Sequence, residues 1–197
     1  MKNLRRKIQE KNREAMHVHG YQGLRADLVV KELGLTKGAY YHYFSGKQEL
    51  GYSILDELIA PREFQYWNAL NDYFGHPIEG IVERLKTLRI ELKDEEFQRG
   101  SQLNNLIQEM AQLDEGFQQR LQRIVEGIRL ALSAAIERGQ KSRLVAADVN
   151  PEEVSLFVLS CLLGAYSLAK AYQNRRPFDL AIEHLIGHLR SFKGSRG

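Results

Sequence analysis

Phe117, Leu121, Ile124, Ile128, Leu132 and Ile136 stand three or four residues apart with polar side chains between them. That spacing matches the turn of an α-helix and puts all six on one stripe. A strand, whose side chains alternate every second residue, would scatter them over both faces. The same spacing recurs along the chain, and no stretch alternates apolar and polar residues for long enough to make a strand. The fold class predicted is all-α.

Nine helices follow from the pattern, with no internal repeat. Residues 3–18 carry a sparse apolar side of Leu4, Ile8, Ala15 and Met16, and Gly20 stops them. Residues 25–32 and 36–43 are two short pieces separated by Gly34-Leu35. From Lys47 a longer helix runs through Leu50, Ile54, Leu55, Leu58 and Ile59, and Pro61 either kinks it or begins another. After the break at Gly75-His76-Pro77 come helices over 78–93 and 101–111, with Asp94-Glu95-Glu96 at a boundary. Asp114 caps a long helix over 114–138 that Gly139 ends. Asn150-Pro151-Glu152-Glu153 combines a cap, a first-turn proline and acids favoured by the helix dipole, and starts a helix to about Asn174. Pro177 opens the last helix, over 177–192.

The chain has 197 residues, of which 43% are apolar and 27% charged, enough to bury a core and too apolar for general disorder. Cys161 is the single cysteine, so an internal disulfide is excluded. The start is charged and has no apolar stretch of the secretion type. The longest uncharged run, residues 154–169, is short for a membrane span and reads as a buried helix. A cytoplasmic location is expected, with no membrane partner.

Charge is uneven. Residues 1–50 hold ten Lys/Arg against five acids, a net +5, whereas the remaining 18 basic and 20 acidic residues give −2. A basic N-terminal quarter on a near-neutral body points to a polyanion-binding head or to a solvated charged face.

The two short helices carry more information. Two helices of about eight residues joined by a glycine turn fit a helix-turn-helix. The second reads Thr36-Lys37-Gly38-Ala39-Tyr40-Tyr41-His42-Tyr43. It begins with a capping hydroxyl, a lysine and two small residues that let a helix end approach a surface. Tyrosine, histidine and lysine then supply donors for phosphate oxygens. Phe44 and at least one of the tyrosines must instead face the core.

Gly20-Tyr21, Val29, Gly34-Leu35-Thr36-Lys37-Gly38, Tyr41-His42-Tyr43-Phe44, Lys47 and Leu50 resemble, without a gap, the DNA-binding domain of TetR-type repressors. The resemblance covers about residues 4–62. It implies a three-helix DNA-binding domain over 1–48, joined to a larger helical ligand-binding and dimerisation domain over 49–197. It further implies that Arg25 reaches a phosphate and that Thr36 and Lys37 stand at the entry of the recognition helix. Gly38, Ala39 and Tyr40 would lie closest to base edges, while Tyr41, His42 and Lys47 grip the backbone. Lys47 near a helix N-terminus has free N–H groups beside it that also favour phosphate. The basic arm from Lys2 to Lys7 adds charge. Two departures stand out. Leu24-Arg25 replaces the Ser or Thr that caps the first motif helix, with Asp27 compensating through the dipole. Lys11-Asn12 occupies positions where small apolar residues are common, which loosens the packing of the first helix.

Other chemistries are weaker. His184 and His188 are four apart but lack a third ligand, so no metal site is expected. Cys161 reads as a small core residue. Gly100-Ser101 with Glu109 and Asp114 loosely resembles a TetR subgroup with cysteine in place of Ser101, so thiol-based sensing is not supported. There is no phosphate-binding glycine loop and no catalytic constellation. Neither an enzyme nor a cofactor is expected.

The expected function is a DNA-binding transcriptional regulator, a repressor released from a palindromic operator by a small-molecule effector. The alternative is a helical protein-binding adaptor with a basic patch. Phe64, Trp67, Leu85, Leu103, Ile107, Met110 and Phe157 are the expected pocket walls. Residues 154–169 and the last helix carry more apolar residues than one stripe needs, including Leu156, Phe157, Leu168 and Leu180, so a second face must be covered. Leu159, Leu162, Leu163, Tyr166, Ile182, Leu185, Ile186 and Leu189 are the expected homodimer contacts, with Gly164, Ala165 and Gly187 allowing close approach.

Overall fold

All nine segments with helical spacing form helices in the computed structural model, which describes residues 2–193. α1 is Lys2–His19, α2 Ala26–Glu32, α3 Lys37–Tyr41 and α4 Lys47–Ile54. A π-helical turn, Leu55–Ile59, leads into α5, Ala60–Asn68, and a 3-10 turn, Ala69–Asp72. α6 is Pro77–Glu91, α7 Asp94–Arg99, α8 Gln102–Met110, α9 Glu115–Lys141, α10 Pro151–Tyr172 and α11 Arg176–Arg190. The side chain of Lys2, in the expected basic arm, lies outside the described residues.

Local chemistry accounts for most boundaries. The Asn150 side chain accepts from the N–H groups of Glu152 and Glu153 at 3.0 and 3.4 Å, and Asp114 accepts from Phe117 N–H at 2.8 Å. Each satisfies orphan donors of a first helical turn. Asp94-Glu95-Glu96 does more than mark a boundary. These acids form the first turn of the additional short helix α7, and Lys93 N–H donates back to Glu96 at 3.0 Å. Gly139 does not end α9, which continues to Lys141. The missing side chain there makes room for buried Val145, whose Cγ2 would lie 2.4 Å from a Cβ at that position.

Pro61 lies in the first turn of α5, directly after the π turn, so the helical path is deformed there and continues. Lacking an N–H, it leaves the Glu57 carbonyl without its α-helical donor, and its ring crowds that carbonyl. The preceding turn widens to π form. Arg6 Nη1 reaches the freed carbonyl at 3.1 Å.

The chain divides into two compact units. The first comprises the chain up to Arg62 together with Asn105–Arg123. Its core includes Ile8, Met16, Leu24, Val29, Val30, Phe44, Leu50, Ile54, Phe117 and Leu121. Asn12 is fully buried there, its amide donating to Ile8 O at 2.8 Å while its Oδ1 has no partner. The expected loosening at Lys11-Asn12 is not what is found: Asn12 is packed in the core, and the cost of the departure is an unpaired amide oxygen.

The second unit comprises Glu63–Asn104 and the chain from Ile124 onward. α11 packs against α10 and α6, and α7 packs against α10. Phe178 is the hub, with Phe97 and Tyr166 ring centroids 5.0 and 4.8 Å away. α10 is long and apolar enough to cross a membrane by length and composition. Val154, Val158, Leu159, Leu162, Ala165 and Ala169 of that helix are nevertheless buried inside this unit.

Glu79 on α6 fastens the end of α11. Its carboxylate accepts from Arg190 at 3.0 and 3.1 Å and pairs with Lys193 at 2.6 Å. The Arg190 hydrogen bond, then that of Lys193, pulls its pKa from 4.5 down to about 2. A carboxyl whose pKa is depressed on folding stabilises the fold above its unfolded value, and that contribution disappears as pH falls through the folded value. Glu79→Gln is therefore expected to lower the Tm by about 2–4 °C at pH 7. The deficit should shrink between pH 4.5 and about 2, the window set by the two values. Thermal melts of both proteins across that range check this, and a deficit that persists at pH 2 would contradict the assignment.

Candidate nucleic-acid interface

The turn between α2 and α3 closes through Gly34 N–H to Lys31 O at 2.9 Å and Leu35 N–H to Val30 O at 3.1 Å. Gly34 has φ +68°, a left-handed conformation that a side chain would strain. Thr36 then caps α3, its hydroxyl accepting from Ala39 N–H at 3.2 Å. Lys37, Gly38, Tyr41 and His42 are exposed and Ala39 is half-buried. A Cβ at Gly38 would meet nothing closer than Thr36 Oγ1 at 3.9 Å, so its smallness serves no packing purpose inside the unit. The arrangement leaves one short, capped helix end with small residues outward and hydroxyl, imidazole and ammonium donors around it.

Tyr40 departs from the expected role at base edges. It is 7% exposed and shares the inward face of this segment with Phe44, four residues on, their centroids 6.0 Å apart. Its hydroxyl is buried without a partner, and burial pushes its pKa up to about 12. A ring so placed cannot reach a groove. Tyr41, 59% exposed, is the tyrosine turned outward.

Lys47 opens α4 and is half-buried. Its Nζ donates to Gln22 O at 2.9 Å and lies 4.9 Å from the centre of the Tyr21 ring. Burial lowers its pKa, and the charge of Glu109 acts in the opposite sense. Arg25 is exposed and pairs loosely with Asp27 at 3.4 Å. No side chain caps α2, and the Arg25 hydrogen bond holds Asp27 below the usual carboxylate range. Part of the expected basic arm is already engaged. Arg5 pairs with Glu57 through Nη1 and Nη2 and lies over the Phe44 ring at 5.0 Å, and Arg6 pairs with Glu10 at 2.9 Å.

Sequence reasoning missed a set of polar contacts within this unit. Gln48, Tyr52 and Asp56 are four apart along one side of α4 and the π turn. Asp114 accepts from Gln48 at 2.7 Å and from the Tyr52 hydroxyl at 2.6 Å. Arg120 stacks on Tyr52 at 4.0 Å and donates to Asp56 at 3.0 Å, and Arg123 also pairs with Asp56. Glu109 accepts from the N–H groups of Tyr21 and Gln22. The available signal was the polar i, i+4, i+8 spacing of Gln48, Tyr52 and Asp56.

The other expected sites are rearranged. Leu159, Leu162, Tyr166, Ile182, Leu185, Ile186 and Leu189 are buried within the second unit, in the core of one protomer and not on its exposed face. Only Leu163 of that set is part-exposed. The outward face of α10 and α11 carries Leu156, Phe157, Leu168, Leu180, Gly164 and Gly187 instead. Of the expected pocket walls, Trp67, Leu85 and Leu103 are buried in the second unit and Phe64 is part-exposed beside Gly127. Ile107 and Met110 belong to the first unit. Phe157 is 44% exposed and stacks on His188 at 5.2 Å, so it lines no interior wall. His184 and His188 are both exposed, and no group of three metal-binding side chains occurs among the described residues.

Comparison with known proteins agrees with this geometry. Residues 10–51 match the model for bacterial regulatory proteins of the tetR family, and residues 82–185 match the tetracyclin repressor-like C-terminal domain. The HTH-type transcriptional repressor NemR of Escherichia coli K12 is 22% identical over 166 residues, covering 84% of this chain and 83% of NemR. The crystal structure of reduced E. coli NemR superposes with a TM-score of 0.82 at 19% identity, covering 96% of this chain and 97% of that one. A TetR regulator from Chloroflexus aurantiacus gives 0.84 at 18% identity, covering 98% and 97%. The second family model alone spans more than half of the sequence. This chain belongs to the TetR family and is a DNA-binding transcriptional regulator, not an enzyme.

Proposed function

We propose that the chain is a cytoplasmic repressor that binds a two-fold DNA site as a homodimer and releases it when a small molecule occupies the C-terminal domain. The assignment follows the expected division into a DNA-binding head over 1–48 and a ligand and dimer domain over 49–197. The observation that carries it is the outward set Lys37, Gly38, Tyr41 and His42 around the Thr36 cap. Thr36, Lys37, Gly38 and Ala39 approach the base edges, while Arg25, Tyr41, His42 and Lys47 hold phosphates. NemR, a relative, is named a repressor, which supports that sense of regulation.

The dimer rests on the outward side of α10. No charged residue lies between Glu153 and Lys170, and Ser160, Gly164 and Ser167 keep the exposed face shallow between Leu156, Phe157 and Leu168. Small residues let a second helix approach closely, and a two-fold pairing matches a two-fold site. For the effector, Phe64, Trp67, Leu85 and Leu103 of the second unit are the retained wall residues. A ligand there acts only through a difference in its affinity for the DNA-bound and free states.

Gel shifts with the DNA upstream of its own gene test this reading. Lys47→Ala should weaken binding to every site sequence and reduce the salt dependence by about one counterion per half-site. Tyr41→Phe should cost about threefold to tenfold in affinity through one lost phosphate hydrogen bond. Tyr40→Phe should cost nothing, since that hydroxyl is inside the unit. Binding to no duplex at low salt would favour the adaptor alternative.

A further inference from the structure

The segment joining α1 to α2 is held from two sides by groups far away in the sequence. Glu109 in α8 presents its carboxylate to two successive backbone N–H groups, Tyr21 at 2.8 Å and Gln22 at 2.7 Å. Gly20 permits this approach. It has φ +76°, and a Cβ there would lie 2.9–3.2 Å from the Glu109 carboxylate. At the other end of the same residue, Gln22 O accepts from Lys47 Nζ at 2.9 Å. The ammonium also lies over the Tyr21 ring, and that ring packs on Phe117 with centroids 4.5 Å apart. Tyr21 and Gln22 are therefore gripped by a carboxylate through their N–H groups and by an ammonium through a carbonyl and a ring. An ammonium has three donors, of which this carbonyl uses one, so others remain for a phosphate.

We propose that Glu109, outside the helix-turn-helix, is a positioning residue for Lys47: it fixes the backbone at Tyr21 and Gln22, and the Gln22 carbonyl in turn aims the ammonium at the DNA backbone. Three features support it. The hydrogen bonds form a chain from Glu109 through Gln22 to Lys47. Gly20 leaves room for the carboxylate and for little else. The charge of Glu109 also opposes the lowering of the Lys47 pKa by burial. Losing the carboxylate replaces two fixed charge-assisted hydrogen bonds by water and lets the turn move, and Lys47 loses its fixed carbonyl partner with it.

The inference rests on Lys47 being a phosphate contact, and a double-mutant cycle separates the two claims. The probe is a duplex selected by the wild-type protein from a random-sequence pool. Glu109→Gln keeps the shape but sets an amide N–H₂ against one backbone N–H. It should weaken binding about tenfold and lower the salt slope by about one per half-site, as Lys47→Ala does. In a Lys47→Ala background, Glu109→Gln should add no further loss. Asp114→Asn loosens the α8–α9 corner without touching Tyr21 or Gln22, and it should leave the salt slope unchanged. If Glu109→Gln does not fold, Glu109→Asp, too short to reach both N–H groups, takes its place in the cycle. Losses that multiply in the double variant, or an unchanged salt slope in Glu109→Gln, would overturn the proposal. No effect from Lys47→Ala alone would overturn the phosphate contact first and the positioning role with it.

Discussion

Gly164→Arg is expected to yield a folded protomer that neither dimerises nor holds its DNA site. Gly164 lies on the exposed side of α10, and a Cβ there would meet nothing within 4 Å. The substitution thus fits the protomer without a clash. Replacing a mid-helix glycine should raise the helix's own stability by about 0.5–1 kcal/mol. In the proposed pairing the same position sits in the middle of an uncharged face, where a copy of the guanidinium from each protomer would be buried without a partner. Buried unpaired charge is prohibitive, and two like charges near a two-fold axis repel. Each head would then bind its half-site alone, with an affinity loss of about a hundredfold to ten-thousandfold from the lost linkage. Sedimentation equilibrium, circular dichroism and a gel shift together decide it. A variant that remains dimeric would remove α10 from the interface.

Leu185→Glu should have the opposite character, although it lies on neighbouring α11. Leu185 is 3% exposed, on the inward side of that helix with Ile182, Ile186 and Leu189. A carboxylate there has no water and no partner, and the expected loss is about 4–5 kcal/mol or more. That is comparable to the whole stability of an ordinary domain, about 5–15 kcal/mol. Insoluble or unfolded protein is the expected outcome, with Leu185→Ala still folded but about 2–5 kcal/mol weaker in denaturant unfolding. Gly187→Glu, two residues on and exposed with open space around its Cβ, should fold normally. A soluble Leu185→Glu monomer with wild-type stability would contradict the buried placement.

These two substitutions mark where sequence periodicity stops being informative. The run from Val154 to Ala169 shows that more than one face of α10 must be covered, because apolar residues occur on most sides of it. Periodicity alone does not say which face meets the rest of the protomer. Leu159 and Phe157 are equally apolar on the page, yet one is 5% and the other 44% exposed. The same holds over residues 40–44, where four aromatics in five residues required some to turn inward. Only packing showed that these are Tyr40 and Phe44, and that Tyr41 is left outside.

The local decisions belonged to the sequence itself. Asn150-Pro151, Asp114 and Thr36 each start a helix where their side chains can reach an N–H two or three residues on, and such contacts need no distant partner. Gly34 makes its turn because only a residue without Cβ takes a positive φ cheaply. Tertiary structure decided whatever depends on groups brought together from afar. Arg6 takes the Glu57 carbonyl that Pro61 leaves without its α-helical donor, and Val145 occupies the space that a side chain at Gly139 would need. Gly20 shows both levels in one residue: its left-handed turn after α1 follows from local sterics. The carboxylate against it comes from Glu109, whose partner Tyr21 is 88 residues away, a separation at which no local spacing carries a signal.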